Sequence, residues 1–190
     1  MQTYTNTTNV PLSMAVYLAV DHYDHHPGTL SATGLMKPLR QSILSQRLPQ
    51  ELRQVDVMDI VQSRLGTSIH DGVERAWAGG HYKEAMAKLG YAQHVIDRVV
   101  INPADEDLTE DTIAVYLEQR MFREFQGFTI GGKYDFLAEG VLQDVKTTST
   151  FTWVKDTKTE DYQLQGSIYR WLDAALPIPR ITQDYMLIQF

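Results

Sequence analysis

Apolar residues fall at four-residue intervals through Leu65, Ile69, Val73 and Trp77, which predicts a helix that Gly79-Gly80 ends. Leu35, Leu39 and Ile43 keep the same interval, so a helical stretch is expected from Ser31, with Ser31 or Thr33 as N-cap. Shorter helices are expected over Met14 to Val20, before the Pro27-Gly28 turn, and over His81 to Leu89. The stretch Asn102 to Asp111 is acidic and polar and reads as a solvated connection. β-Branched and aromatic residues then dominate. Ile113 to Phe125, Phe128 to Leu137 and Val141 to Thr148 read as strands, and Ala138-Glu139-Gly140 reads as the turn of an antiparallel hairpin. A helix is expected from Thr159 to Leu176 around a core stripe of Leu164, Ile168 and Leu172. Thr157…Glu160 as a capping box, or Asp161, opens it, and Pro177 and Pro179 end it. Tyr185 to Phe190 reads as a buried strand. The order is helices, three strands, a helix and a strand, with no solenoid-type repeat.

At ~150 residues per domain, a chain of 190 residues is one domain with an appendage, divided here into an entry segment, 1–30, and a main domain, 31–190. With 43% hydrophobic and 22% charged residues it has the apolar surface for a core and is not a disordered chain. The absence of cysteine excludes disulfides, an iron–sulfur cluster and thiolate zinc sites. No apolar run approaches the ~18–20 residues of a membrane span, and the first residues lack a basic-then-apolar leader. A soluble, cytoplasmic protein with no membrane partner is therefore expected. The net charge of −7 argues against broad coating of nucleic acid and leaves room for a local basic groove. Lys37, Arg40, Arg47 and Arg53, against the single acid Glu51, form the most basic stretch.

The candidate chemistry lies in GGKYDFLAEGVLQDVKTTS. Strand side chains alternate faces, so Asp144 and Lys146 project to one side, while Lys133, Asp135 and Leu137 share a face of the neighbouring strand. The hairpin then brings Asp135 near Asp144, with Lys146 beside them. Two carboxylates at a strand mouth suit a divalent cation, Mg²⁺ or Mn²⁺. The competing reading of this D-x-K triplet is a surface ion pair. His70 is a further ligand candidate, or a half-buried imidazole satisfied by Glu74 or a backbone carbonyl. Gln165 and Tyr169, four apart on one helix face, either reach substrate or serve capping and packing. Glu118 is either another ligand or the partner of Arg120.

In order along the chain, LGTSIHDGVE carries His70, GKYD carries Asp135, QDVK carries Asp144 and Lys146, and QGSIY carries Gln165 and Tyr169. Together these resemble the G-x-x-x-H, G-x-x-D, D/E-x-K and Q-x-x-x-Y motifs of the PD-(D/E)xK nuclease superfamily, in its RecB-like exonuclease branch, across about residues 31–190. Because the chain has no cysteine, it resembles the stand-alone, phage-type members without an iron–sulfur cluster. The resemblance implies a restriction-endonuclease-like α/β core, a mixed central β-sheet flanked by helices in the order αβββαβ, with an N-terminal helical extension. It implies hydrolysis of DNA phosphodiester bonds with one or two Mg²⁺ or Mn²⁺ ions, most simply by an exonuclease of recombination, repair or phage DNA processing that leaves 5′-phosphates. His70, Asp135, Asp144 and the Val145 carbonyl would hold metal, with Glu118 a further candidate. Lys146 would orient the attacking water and offset developing charge. Gln165 and Tyr169, with Asp135, Asp144 and Lys146 in the catalytic set, would position the strand near the scissile bond, and with Lys37 and Arg40 they would contact the DNA, single- or double-stranded. The alternatives are an endonuclease of the same fold and a non-catalytic nucleic-acid-binding module; a protein partner or homo-oligomer is compatible with each.

Three other features of the chain carry candidate chemistry. The run DHYDHH holds His22, His25 and His26 with Asp21 and Asp24, but successive loop residues rarely converge on one ion. Phe151 and Trp153 either stack on bases or pack beside a strand end. Lys155 and Lys158 either contact a phosphate backbone or are simply solvated.

Overall fold

The computed structural model describes residues 3–20, 26–49 and 54–189. Its elements are β1 (Thr3–Thr5), α1 (Leu12–Ala19), β2 (Thr29–Ser31), α2 (Ala32–Leu35), α3 (Leu39–Arg47), β3 (Gln54–Asp56), α4 (Val61–Ala78), α5 (Tyr82–Lys88), α6 (Gln93–Ile96), β4 (Val99–Ile101), β5 (Ile113–Phe125), β6 (Phe128–Ala138), β7 (Val141–Val145), α7 (Thr150–Lys155), α8 (Thr159–Asp173) and β8 (Met186–Gln189).

The fold is α/β, with a mixed sheet flanked by helices. β5, β6 and β7 form consecutive antiparallel pairs, β4 adds parallel to β5, and β8 adds parallel to β7. β2 pairs parallel with the start of β6, alongside Thr129 to Gly131, whereas β7 pairs with its end. Both hairpin turns hold two left-handed residues, Gln126-Gly127 and Glu139-Gly140, the type I′ geometry that matches strand twist. Under α8 the sheet buries Met121, Tyr134, Leu137 and Leu142 with Tyr169 and Leu172. On the α4 and α5 side Trp77 packs on Tyr82 and Phe136, with Val115 and Leu117 beside them.

Side-chain alternation changes phase within the β5–β6 pair. A Cβ on Gly132 would meet Tyr169 and Leu172, so the even positions of β6 up to Tyr134 face α8, yet farther along Leu137 joins that core and Phe136 packs on Trp77. The switch falls at Glu118, whose φ is 51°, and at Asp135 opposite it, between the pairs Leu117↔Phe136 and Gln119↔Tyr134. Lys133 and Asp135 therefore share the face away from α8 as expected, but Leu137 does not, because a left-handed residue rotates the pleat.

Several local expectations also change. The helical stretch from Ser31 is two helices, because Pro38 stands between α2 and α3; Ser31, not Thr33, caps α2 by accepting from Gly34 N–H. The acidic connection includes a one-turn 3₁₀ helix, Asp105–Asp107, and Asn102 is not merely solvated, since its Oδ1 accepts from Leu117 N–H at 2.8 Å. β7 ends at Val145, short of Thr148, and α7 starts at Thr150, capped by Ser149. No side chain caps α8: Asp156 bonds Thr159, and Asp161 bonds Lys158. The inward arc of α8 runs Gln165, Tyr169, Leu172, while Leu164 is 49% exposed. β8 alternates half-buried and exposed positions instead of being buried throughout, and Phe190 lies outside the described residues. The division at residue 30 falls within β2, which belongs to the main sheet. Of the DHYDHH run, His26 is described and packs edge-on against Phe122; Asp21 through His25 lie outside the described residues, as does Arg53. Among the described residues no helix is long and apolar enough to cross a membrane.

Candidate functional site

Helix α4 carries the first site residue to the sheet. Trp77 anchors its last turn on Tyr82 and Phe136, and Gly66 is buried where a Cβ would stand 2.8 Å from Thr147 Oγ1. A bare backbone there lets α4 close on the segment after β7, one turn before His70. His70 Nδ1 lies 3.1 Å from Asp135 Oδ2. The same carboxylate oxygen accepts a hydrogen bond from Val145 N–H at 3.1 Å. Glu118, opposite Asp135 on β5, forms a close ion pair with Lys133. One ligand atom from each of His70, Glu118 and Asp135 falls within 4.8 Å of the others. These three line a small cleft of about 160 Å³ with Glu74, Gln143 and Val145.

Asp144 reaches the same strand mouth from the α8 side and is almost wholly buried. Its Oδ2 is 2.6 Å from Lys146 Nζ, a close ion pair. Gln165 Nε2 donates to Asp144 Oδ1 at a long 3.4 Å and to Tyr169 Oη at 3.0 Å. Tyr169 O–H donates in turn to Lys133 O at 2.9 Å. A chain of polar contacts thus runs from the Asp144 carboxylate to the strand that carries Asp135.

The electrostatics follow from these contacts. Hydrogen bonding to Asp135 raises the His70 pKa above its ordinary 6.5, against the opposing effect of burial; the charges of Asp135, Glu118 and Asp144 add to the rise. Burial raises Glu118 above the usual carboxylate range, with Lys133 acting the other way. Burial likewise raises Asp144; Lys146 opposes the shift and Asp135 reinforces it. Crowded acids of this kind accept a cation readily, because each disfavours its neighbour's charge.

Of the expected site residues, His70, Glu118 and Asp135 come together directly, with Val145 bonded to Asp135 and Asp144–Lys146 adjacent. Asp144 stands outside the three-residue ligand group, although its charge acts on His70. Glu118 pairs with Lys133, and His70 with Asp135. Gln165 and Tyr169 are buried, and Gln165 meets both the Asp144 carboxylate and the Tyr169 hydroxyl. Lys37 and Arg40 are exposed at the α2–α3 turn and do not line the cleft.

The sequence does not disclose two features of the site. The pairing of Lys133 with Glu118 comes from the hairpin register, which the Gln126-Gly127 turn specifies in principle. Tyr162, whose ring centroid is 5.9 Å from Lys146 Nζ, has no local signal at all. Set against protein-family models, curated proteins and solved structures, the chain matches none of them.

Proposed function

We propose that this protein is a metal-dependent nuclease that hydrolyses DNA phosphodiester bonds on a restriction-endonuclease-like core. The observation that carries the reading is the convergence of His70, Glu118 and Asp135 from three elements beside the buried Asp144–Lys146 pair. The donor set suits Mg²⁺ or Mn²⁺: carboxylate oxygens with one imidazole, and the buried Asp144 carboxylate beside them. His70, Asp135, Asp144 and the Val145 carbonyl would hold the ion, with Glu118 within reach of His70 and Asp135. When bound, such an ion supplies positive charge against the phosphate and acidifies the attacking water.

The protein's own groups have separable tasks. Asp135 holds the His70 ring by its Nδ1, leaving Nε2 for a ligand. Gln165 and Tyr169 brace the Asp144 carboxylate. Lys146, 2.6 Å from Asp144, carries the positive charge that orients a water and offsets charge gathering on phosphorus. Glu118 is neutralised by Lys133, so its part in holding the ion requires that pair to open. An exonucleolytic action leaving 5′-phosphates is the form proposed.

The test is degradation of linear DNA with Mg²⁺ or Mn²⁺ by the native chain, Asp144→Ala and Lys146→Ala. Loss of at least ~100-fold in each variant is expected; digestion at the native rate by both sinks the reading. A closed circular substrate that is cut as fast as a linear one sinks the exonuclease form alone.

A further inference from the structure

Helix α7 and the start of α8 form a surface that the cleft does not use. α7 has six residues, and three of them are large, apolar and open to solvent: Phe151, Trp153 and Val154 at 67%, 63% and 68% exposed. Apolar residues grouped this way mark an interaction site more often than chance. Trp153 is also one wall of a groove of about 420 Å³, whose other lining includes Thr152, Asp156, Lys158, Tyr162 and Met186. Tyr162 links that groove to the Asp144–Lys146 pair, since Lys146 Nζ sits 5.9 Å from its ring centroid and 2.6 Å from Asp144 Oδ2.

The lining selects the chemistry of the occupant. Its charged members are one acid, Asp156, and one base, Lys158, and Lys158 Nζ is itself held by Asp161 at 2.6 Å. A groove without net charge gains little from a phosphate. Two aromatic rings and apolar Met186 and Ile188 suit flat, neutral rings. Continuity with Lys146 places such rings next to the position proposed for the scissile phosphate.

We infer that the Trp153–Tyr162 groove takes the unstacked bases of a single nucleic-acid strand whose backbone passes Lys146. This inference rests on the nuclease reading for its direction along the strand. Stacking on aromatic side chains is tolerant of base identity, so the groove favours single over duplex strands without reading sequence.

The experiment is equilibrium binding of a labelled oligothymidylate, and of a blunt duplex, to the full chain in EDTA, where no metal-dependent cutting occurs. Trp153→Ala and Tyr162→Ala are each expected to weaken the single strand by roughly five-fold or more, as base–aromatic stacking predicts. Duplex affinity is expected to change little, and Trp153→Phe to restore most of the loss. The slope of log Kd against log salt should stay the same in Trp153→Ala, because no phosphate contact is removed. Unchanged single-strand affinity in both alanine variants overturns the inference, and so does loss of self-association in place of loss of DNA binding. Native protein that binds through Trp153 but never cuts sinks the hydrolytic reading and leaves the groove standing. Protein that cuts with metal while its binding ignores Trp153 does the reverse.

Discussion

One oxygen of Asp135 ties three elements together: Oδ2 lies 3.1 Å from His70 Nδ1 on α4 and accepts from Val145 N–H on β7 at 3.1 Å, while Asp135 itself belongs to β6. An ion bound here meets an imidazole whose orientation is already set, which lowers the ordering cost of binding. The buried Asp144 and the half-buried Glu118 are held close by at a cost in carboxylate solvation that the fold alone does not explain.

Asp135→Asn tests the first contact. The amide keeps the size but loses the charge that favours protonated His70. The His70 pKa is expected to fall in the variant, followed by the chemical shifts of its ring protons, and Mn²⁺ affinity to drop at least ~10-fold. A His70 titration identical to that of the native chain removes Asp135 as the cause of its shift.

Stability should depend on pH in a defined direction. The His70 pKa is raised in the fold, so its contribution is fully present below about 6.5 and is lost as pH climbs through the folded value. Asp144 and Glu118 are also raised, so the fold binds their protons more tightly than the unfolded chain does, and their ionisation on the way to neutral pH lowers stability too. Metal-free protein is thus expected to melt at a higher temperature in mildly acidic than in neutral buffer, with the difference reduced in Asp144→Asn. Saturating Mn²⁺ should shrink the same difference, because metal competes with the protons. A melting temperature that rises from mildly acidic to neutral pH in metal-free protein contradicts this.

Gln165 braces the Asp144 carboxylate and meets the Tyr169 hydroxyl. Gln165→Leu removes both contacts and leaves two buried polar groups under-satisfied, at a cost of about 1–3 kcal/mol. If Gln165 acts through Asp144 and not on the DNA, kcat falls and KM holds. A rise in KM with kcat intact shows instead that Gln165 touches substrate.

Gly132→Ala probes the packing of α8 on the sheet. The added Cβ would stand 2.8 Å from both Leu172 Cδ1 and Tyr169 Cε1, two buried side chains without room to retreat. Overpacking of this kind costs about 1–3 kcal/mol, read as a lower midpoint in urea. Because Tyr169 also bonds Lys133 O, part of the loss should appear as weaker metal binding.

The middle of the fold was readable from local pattern. The stripe Leu65, Ile69, Val73, Trp77 and the stop at Gly79 are α4, and the three β-rich runs are β5, β6 and β7. Their signals are short-range: a helical period, β-branched density and turns that demand left-handed backbone. The short strands β1, β2, β3 and β4 escaped, because three residues carry no period and each exists only by pairing with a distant partner. α7 escaped because Phe151, Trp153 and Val154 resemble the end of a strand when only their β propensity is weighed.

The candidate site divides along the same line. His70, Asp135, Asp144 and Lys146 were legible as residue types at suggestive spacings, and the type I′ hairpin brings Asp135 and Asp144 to neighbouring positions. Their partners were not. Left-handed Glu118 shifts the phase of the pleat, which turns Asp135 to the α4 side while Asp144 stays under α8. That shift decides that His70 meets Asp135 and that Gln165 meets Asp144. Period and turn chemistry are properties of a few adjacent residues, so the sequence alone specified the longer helices, the three long strands and their order. Which side chain meets which depends on backbone twist and on helices packed from both faces, and only the assembled structure settles it.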